Sequence, residues 1–385
     1  MTEPTPTPDS PQTPLPRAPR ILIVSAAIGA GHDRPAEVLA QDLRDACPDA
    51  TVEVVDGLAE MGPIAIKTIE DNSRIMFNRG AWLFDLQYAL ITHLRPTRWL
   101  MLQMTHALGY WPFKRLIARW RPDVVVSTYP GTTEILGWLR RSGKIDVPVC
   151  SAITDLAGLR YWSSRGVDLH MVIHPESIPE VRSIAGPGEI TFVHGFSAPE
   201  FLSPVDPVAA RRSLELPPDG PIVVVSGGGW GVGDLEGAVE VALEIPETFV
   251  VCLCGTSEEL RTTLARRFEA HPRVRITGFT DQMCDLLTAA DVLIHSTAGL
   301  TILEARMRGC QPISFGWGAG HIRANNEAYQ RFGLADVALS RSELLSALRS
   351  AIATELVPDT SPRSAPSAAS LVLALAGAGT REPPA

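Results

Sequence analysis

The chain reads VVVSGGGWGVGD from Val223 to Asp234. A run of β-branched residues passes into a loop with five glycines, and residues 235–245 then follow the pattern of a helix that Asp234 can cap. Glycines leave backbone N–H groups open to a ligand, and a helix start adds a positive dipole. This order of strand, glycine loop and helix predicts a diphosphate-binding site. The alternative is an ordinary glycine-rich hairpin or surface loop.

Length and composition set the class of protein. The 385 residues suffice for two domains, and a hydrophobic fraction of 45% with a net charge of −9 indicates a globular protein without a general affinity for nucleic acids. Six scattered cysteines without a CxxC pair indicate free thiols of a reducing compartment. No apolar stretch reaches the roughly 18 residues that span a bilayer. We therefore expect a cytoplasmic protein, peripheral on the inner face of the plasma membrane if it binds lipid.

The first folded segment repeats the strand, glycine turn and helix pattern. An apolar strand at 20–25 leads into the turn Gly29–Arg34, and a helix and a second strand ending in Asp56 follow. His32 at the tip of the turn is a candidate proton acceptor, and its alternative is a local packing role. Asp56 occupies the place of a ribose-binding acid, so a nicotinamide enzyme stays open on this unit, although the turn lacks the third glycine of that fingerprint.

Residues 74–121 combine aromatic and basic side chains in an otherwise acidic protein. Such a segment predicts helices that lie on an anionic membrane. The alternatives are ordinary amphipathic helices with core tryptophans and, more weakly, a nucleic-acid site, which we do not expect because the basic residues are confined to this segment. The aromatic and methionine residues are Trp82, Phe84, Tyr88, Trp99, Met101, Met104, Trp111, Phe113 and Trp120, and the basic ones are Arg74, Arg79, Arg95, Arg98, Lys114, Arg115, Arg119 and Arg121.

Two further strands end in small and polar residues, and Asp155 follows the second of them. The carboxyl ends of parallel strands line the functional crevice of an open sheet, so Asp155 is a candidate site residue, with a helix cap as its alternative. Composition divides the chain into a disordered leader at 1–19, a first domain at 20–198, a linker at 199–221, a second domain at 222–357, and a Ser/Pro/Ala-rich tail at 358–385 with one apolar patch.

The second domain contains another strand that enters a helix through small residues at 297–301. We expect this helix start to face the same crevice as the glycine loop. Glu304 is predicted in the first turn of the helix, where amides would hold its carboxylate and both hydroxyls of a ribose could bind it. Its alternative role is compensation of the helix dipole.

The motifs in their order resemble those of the monogalactosyldiacylglycerol synthase and processive diacylglycerol glucosyltransferase group, of glycosyltransferase family 28 type. The resemblance runs from about Ile21 to Ala338 and implies the α/β GT-B fold, in which two Rossmann-like, doubly wound domains face a central cleft. The motifs are Ser25-xxx-Gly29-x-Gly31-His32, Thr154-Asp155, Gly227-Gly228-Gly229-x-Gly231-x-Gly233, and Ala298-Gly299-Leu300-Thr301-Ile302-Leu303-Glu304-Ala305.

By this resemblance, His32 is the base that deprotonates the acceptor, Asp155 is an acid beside it, and Glu304 binds the ribose of a UDP-sugar. The group's diphosphate cradle falls on Gly228, Gly229, Gly231, Gly299, Leu300 and Thr301; Phe279 and Met283 would edge the uracil; His321 and Asn325 would contact the donor; and Gly29, Gly31 and Trp162 would lie on the acceptor side. The expected chemistry is inverting and needs neither a metal ion nor another cofactor. The chain accordingly lacks an Asp-x-Asp pair.

The chain departs from the group at two places. Where the group carries Pro-Gly-Gln-Glu near the donor sugar, residues 318–326 read GAGHIRANN, so that a histidine and an arginine replace acidic and amide contacts. Residues 159–162 read LRYW in place of His-x-x-Trp, and only Trp162 is kept. We expect a UDP-sugar-dependent hexosyltransferase with a lipid-linked or membrane-facing acceptor. A nucleotide-sugar 2-epimerase of the same fold and a non-catalytic UDP-sugar-binding protein remain the alternatives.

Overall fold

The computed structural model describes residues 17–26, 30–63, 94–160, 162–296, 299–316 and 320–379. Within these ranges the chain forms two parallel sheets of six strands each, one in each half of the chain. The strands are β1 (Arg20–Ser25), β2 (Thr51–Asp56), β3 (Val124–Ser127), β4 (Val149–Ile153), β5 (Leu169–Val172), β6 (Glu189–Phe192), β7 (Ile222–Ser226), β8 (Phe249–Leu253), β9 (Val274–Thr277), β10 (Val292–His295), β11 (Gln311–Phe315) and β12 (Asp336–Ala338).

Helices connect the strands and cover both faces of each sheet. In the first half they are α1 (Ala30–Ala46), α2 (Gly57–Met61), α3 (Arg95–Trp120), α4 (Pro130–Arg141) and α5 (Ile178–Ala185). In the second half they are α6 (Pro207–Ser213), α7 (Leu235–Leu243), α8 (Glu258–Arg267), α9 (Met283–Ala289), α10 (Leu300–Arg308), α11 (Gly320–Phe332), α12 (Arg341–Ile352), α13 (Ser361–Ser364) and α14 (Ala368–Gly379). The predicted α/β class with two doubly wound domains is therefore confirmed.

The order of the strands decides where a ligand can bind. The sheets run β2-β1-β3-β4-β5-β6 and β12-β11-β10-β7-β8-β9. The direction of growth reverses between β1 and β3 in the first sheet and between β7 and β10 in the second. Helices leave opposite faces at such a point and open a crevice at the carboxyl ends of the strands. The loop that carries His32 follows β1, and the glycine loop follows β7, so both predicted loops lie at a reversal point.

The segment 199–221, which the sequence analysis treats as a linker, is largely part of the second domain. Asp206 caps α6 by accepting a hydrogen bond from the amide of Ala209 at 2.9 Å, and α6 packs against α9. The Arg211 guanidinium donates to the carbonyl of Ala289 at 3.0 Å and pairs with Asp291 at 3.1 Å. Short polar and proline-rich runs look like linkers in a sequence, but the cap and the arginine fix this one.

The tail expected at 358–385 crosses back to the first domain over its described part. Helix α14 packs against α1, and its apolar residues Ala368, Val372 and Ala376 are buried. The amide of Ala368 donates to the carbonyl of His194 at 2.8 Å, which anchors the start of the helix. Spacing of four residues places these side chains on one face, so the apolar patch becomes part of the core.

At the other end of the chain, residues 17–19 of the expected leader also contact the first sheet. Arg17 pairs with Asp123 at 2.7 Å, and the amide of Thr51 donates to the carbonyl of Pro19. Residues 1–16 lie outside the described part of the chain, as do residues 74–93 of the basic and aromatic segment.

The buried face of α14 makes a direct test of this crossing. Val372→Asp should lower the free energy of unfolding by about 3 kcal/mol or more, because it buries a charge in an apolar contact. Ala374→Asp on the exposed face of the same helix should cost less than about 1 kcal/mol. Urea denaturation followed by circular dichroism measures both. Equal effects of the two substitutions would contradict the packing of α14 on α1.

Candidate functional site

His32 lies in the first turn of α1 with its ring held on three sides. The Nδ1 atom is 3.1 Å from the carbonyl oxygen of Thr128. The ring meets that of Tyr129 edge-on at 5.1 Å between centroids and that of Trp162 at 5.6 Å. A carbonyl only accepts hydrogen bonds, so the neutral imidazole carries its proton on Nδ1 and its lone pair on Nε2. This is the tautomer that a base needs when Nε2 receives the proton.

Asp155 and Trp162 join the same group. The indole Nε1 of Trp162 donates to Oδ2 of Asp155 at 2.9 Å, and Trp162 is fully buried. Asp155 thus holds the ring that packs against His32. The structure brings His32, Asp155 and Trp162 together, as the resemblance implies. Asp155 contacts the indole of Trp162, and the indole contacts His32, so the link between Asp155 and His32 is indirect.

Ser25, named in the sequence analysis only as the start of a motif, and Asp33, which was not proposed as a site residue, lie beside His32. The Ser25 hydroxyl at the end of β1 donates to Asp33 at 2.6 Å. Burial raises the pKa of the Asp33 carboxyl above its usual value, the hydrogen bond from Ser25 opposes this, and the nearby charge of Asp56 adds to the increase. In the sequence, the adjacent His32 and Asp33 at the turn were the signal that could have indicated Asp33 as a site residue. Their proximity to Ser25 depends on the path of the turn.

Asp56, the acid that kept a nicotinamide enzyme open, has a structural role. Its Oδ1 accepts hydrogen bonds from the amides of Leu58 at 2.8 Å and Ala59 at 3.2 Å and so caps α2. Of the acceptor-side glycines, Gly31 has no neighbouring atom of the described residues within 4 Å of the position of a Cβ, apart from its chain neighbours and its own helix. Gly29 lies outside the described residues.

The glycine loop after β7 folds into one 3-10 turn at Gly228–Trp230 and closes tightly on itself. The amide of Val232 donates to the carbonyl of Gly227 at 2.8 Å, and Thr256 holds the carbonyl of Gly229 through its amide and its hydroxyl. Gly231 has a φ of 66°, and a Cβ there would lie 2.5 Å from the carbonyl oxygen of Cys254. A side chain therefore cannot occupy this position, whereas Trp230 in the same loop exposes 42% of its surface.

Helix α7 begins at Leu235, as predicted, and Asp234 caps it by accepting from the amide of Gly237 at 2.8 Å. The predicted end at 245 is two residues too long, since the helix ends at Leu243. The loop and the helix start thus stand in the order that the sequence predicts for a diphosphate cradle. The opposite side of that cradle would come from α10.

Helix α10 starts at Leu300, and Thr301 is its second residue. Gly299 directly precedes the helix and has a φ of 108°. Among the described residues no side chain caps this helix start. The amide of Gly299 donates to the hydroxyl of Tyr329 at 3.2 Å. Residues 297–298 of this loop lie outside the described part. The first-turn amides of α10 therefore face the crevice next to β7 and can receive an anion.

Glu304 lies one turn further into α10 than the sequence analysis expects. It is the fifth residue of the helix, and the first turn contains no acidic residue. The helix starts only after the positive φ of Gly299, and this shifts Glu304 beyond the unpaired amides. Burial raises the pKa of Glu304 to about 7, while Ser197 and Arg34 oppose the increase. Because Arg34 belongs to α1, the charge that acts on Glu304 comes from the first domain.

The remaining donor-side residues are placed as follows. Phe279, on the connection between β9 and α9, exposes 56% of its surface, and Met283 begins α9 and packs on the core. His321 lies in the first turn of α11. Asn325 is fully buried, and its Oδ1 accepts hydrogen bonds from the amides of Leu156 at 2.7 Å and of Ala157 at 3.2 Å. The structure thus gives Asn325 a contact between the domains.

The two halves of the site face each other. The N-terminal part of the first domain contributes α1, and α1 lies against the 3-10 turn of the glycine loop. The described residues therefore combine a histidine with a defined tautomer, a glycine-rich loop, an uncapped helix start and a partly buried carboxylate. Such a group can bind an anion and move a proton beside it.

Comparison with known proteins agrees with this geometry. The profile of the family described as monogalactosyldiacylglycerol (MGDG) synthase matches residues 32–195. The processive diacylglycerol beta-glucosyltransferase of Staphylococcus carnosus is 25% identical over 63% of this chain and 61% of that protein. The probable monogalactosyldiacylglycerol synthase 2 of Oryza sativa subsp. indica is 29% identical over 76% of this chain and 65% of that protein. The chain thus spans less than two thirds of the length of these relatives.

Among solved structures, MurG of Acinetobacter baumannii superposes with a TM-score of 0.54 over 94% of this chain and 95% of that one. At 16% identity this likeness concerns the fold. Sequence profile, relatives and fold therefore agree with the resemblance predicted from the motifs. By sequence the chain is similar to monogalactosyldiacylglycerol synthases and diacylglycerol glucosyltransferases, and its fold is the GT-B fold.

Proposed function

We propose that this protein is an inverting glycosyltransferase that transfers a hexose or N-acetylhexosamine from a UDP-sugar to a lipid-linked or membrane-facing acceptor. The observation that carries the proposal is the position of His32. Its Nδ1 proton is directed at the carbonyl of Thr128, and its helix lies against the glycine loop of the other domain. The relatives, named as transferases that act on diacylglycerol, support the same class of reaction.

In the proposed reaction, Nε2 of His32 takes the proton of the acceptor hydroxyl while that oxygen attacks the anomeric carbon. The bond from that carbon to the diphosphate breaks, UDP leaves, and the configuration inverts. The start of α10 and the amide of Gly229 would meet the charge that develops on the diphosphate, since the amides of Gly228 and Gly231 donate to the Ser226 hydroxyl and to the carbonyl of Gly228. Glu304 would accept the two ribose hydroxyls. The proposal assigns no metal ion or other cofactor to these steps.

A lipid acceptor fits the exposed side of α3. His106 on its buried face contacts Glu134 at 3.0 Å and stacks on Trp138 at 4.5 Å, which holds α3 on α4. The opposite face and the start of the helix expose apolar side chains: Leu94, Trp99, Leu100, Met104, Leu108 and Trp111. Arg115 and Arg121 are exposed near the end of the helix. An aromatic and apolar surface with adjacent cations suits the headgroup level of an anionic membrane.

None of the helices in the described part of the chain is long and apolar enough to cross a membrane. The proposed contact is therefore with the membrane surface, and it needs only one exposed helix face. It also places the acceptor on the side of the first domain, where His32 lies.

Calorimetric titration with UDP tests the donor site. We expect UDP to bind the wild-type protein and His32→Ala alike, because His32 acts on the acceptor. Glu304→Ala should lose binding, since it removes the ribose contact. With a UDP-sugar and an acceptor lipid, His32→Ala should lose turnover by at least about a hundredfold, the usual contribution of a general base. Full turnover by His32→Ala would overturn the assignment of the base.

The same experiment separates the alternatives. A sugar-nucleotide conversion without any acceptor would indicate a 2-epimerase, and UDP-sugar binding without turnover under any condition would indicate a non-catalytic binding protein. Absence of UDP binding by the wild-type protein would contradict the proposed function altogether.

The raised pKa of Glu304 predicts how UDP affinity depends on pH. The carboxylate form accepts the ribose hydroxyls, and with a pKa of about 7 that form declines as the pH falls through 7. UDP should therefore bind about tenfold more weakly at pH 6 than at pH 8, and binding below pH 7 should release a proton. Titrations in two buffers of different ionisation enthalpy measure both effects. Glu304→Gln should retain only the pH dependence of the phosphate itself, and an equal slope in both proteins would contradict the prediction.

Vesicle binding tests the face of α3. The protein should sediment with phosphatidylglycerol vesicles at low salt and less at high salt, because salt screens the contact. Trp111→Glu should weaken binding about tenfold, since it removes an aromatic anchor and adds a charge worth about 1 kcal/mol at an anionic surface. Val208→Glu, at an exposed apolar position of α6, is the matched control and should bind as the wild type does. Absence of binding at low salt would reject the contact.

A further inference from the structure

We infer that helix α11 positions the two halves of the site relative to each other. Asn325 holds the loop at 154–157 of the first domain, called the catalytic loop below, and Tyr329 holds the donor cradle of the second domain, which consists of the glycine loop and the start of α10. The inference rests on the proposed function for the meaning of the two halves. The contacts themselves do not depend on it. Both residues lie on one face of α11, since they are four positions apart.

Asn325 serves the segment directly after Asp155. Its Oδ1 accepts the amides of Leu156 at 2.7 Å and of Ala157 at 3.2 Å. Asn325 and Leu156 are buried, so these contacts are shielded from water. A buried amide without an acceptor costs about 1–3 kcal/mol, which makes this acceptor from the other domain a strong constraint on the loop. The loop carries Asp155, which in turn holds Trp162 against His32.

Tyr329 serves the start of α10. Its hydroxyl accepts the amide of Gly299 at 3.2 Å, and its ring meets that of His174 of the first domain edge-on at 6.0 Å. The side chain is fully buried, and burial raises the pKa of its phenol, so it stays protonated. Gly299 has a positive φ and no capping side chain. The hydroxyl of Tyr329 therefore contributes to the position of the first-turn amides of α10.

Apolar packing completes the contact between the domains. A small buried cluster surrounds the two polar contacts, and its members are Leu156, Ile302, Ala328, Tyr329, Leu334 and Ala335. Leu156 comes from the first domain, and its neighbour Ala157 packs against the cluster, so this loop inserts between α10, α11 and the residues that follow. A loop held in this way cannot move away from the cradle without exposing apolar surface and two amides.

These contacts predict that substitutions at Asn325 and at Tyr329 change different quantities, namely kcat and the affinity for UDP. Loss of the Asn325 acceptor should displace the catalytic loop and lower kcat, while the donor cradle keeps its affinity. Loss of the Tyr329 hydroxyl should disturb the cradle and weaken UDP binding. A residue that only supports folding would lower the apparent kcat together with the number of UDP sites per chain, which a calorimetric titration counts separately from the affinity.

Hydrogen exchange at the amides of Leu156 and Ala157 tests their contact with Asn325 without any ligand. Asn325→Ala should speed exchange of these two amides at least about tenfold, since each loses its buried acceptor. Asn325→Asp should restore the protection, because a carboxylate also accepts two amides. Asn326→Ala is the matched control: Asn326 accepts from the Ser314 hydroxyl at 2.7 Å within the second domain, and its loss should leave exchange at 156 and 157 unchanged. Unchanged exchange in Asn325→Ala would overturn the inference.

Kinetics then test the separation. Asn325→Ala should lower kcat at least about tenfold with UDP affinity within about twofold of the wild type, and Asn325→Asp should recover kcat. Tyr329→Phe should weaken UDP binding about three- to tenfold, as expected for one lost hydrogen bond. A parallel fall of kcat and affinity in both variants would overturn the inference. If the wild-type protein binds no UDP, the proposed function fails, whereas the exchange data still decide whether Asn325 clamps the loop.

Discussion

Reversal of strand order at the carboxyl ends of β7 and β10 is the constraint on which the rest of the structure depends. In the second sheet, β8 and β9 lie on one side of β7. The strands β10, β11 and β12 lie on its other side. The loops after β7 and β10 therefore emerge side by side with their helices on opposite faces. A glycine loop and an uncapped helix start can then share one anion. The first domain repeats the arrangement with β1 and β3, and this places His32 opposite that anion site.

Burial raises the pKa of two carboxyl groups of the cleft, those of Asp33 and Glu304. Desolvation raises the pKa of Asp33 and brings that of Glu304 to about 7, and the hydrogen bond from Ser25 and the charge of Arg34 oppose these shifts. His32 receives its tautomer from a backbone carbonyl, which cannot titrate. The base of the proposed reaction is thus oriented by a group whose own charge never changes with pH.

The roles of the polar residues follow from what lies next to them in space. Asp56 stands at the end of a strand like a ribose-binding acid, yet its Oδ1 caps α2. Asn325 stands where the resemblance implies a donor contact, yet its oxygen is used by amides of the other domain. Glu304 lies beyond the first turn of its own helix, and the charge of Arg34 from the first domain acts on its pKa. Neighbours more than a hundred positions away in the chain decide two of these three roles.

The sequence by itself determined the two Rossmann-like domains, the glycine loop and the cap by Asp234, because strand periodicity and glycine content act over short distances. The group of His32, Asp155 and Trp162 was implied by the resemblance of the motifs to a known family, and the structure brings its members together. Only the tertiary structure decided that residues 207–221 join the second domain, that α14 returns to the first domain, that Glu304 lies beyond the first turn of α10, and that Asn325 bridges the cleft. These features depend on which distant amide, arginine or apolar face becomes a neighbour after folding. Burial and hydrogen-bond partners across domains are properties of the packed chain, and local residue patterns do not contain them.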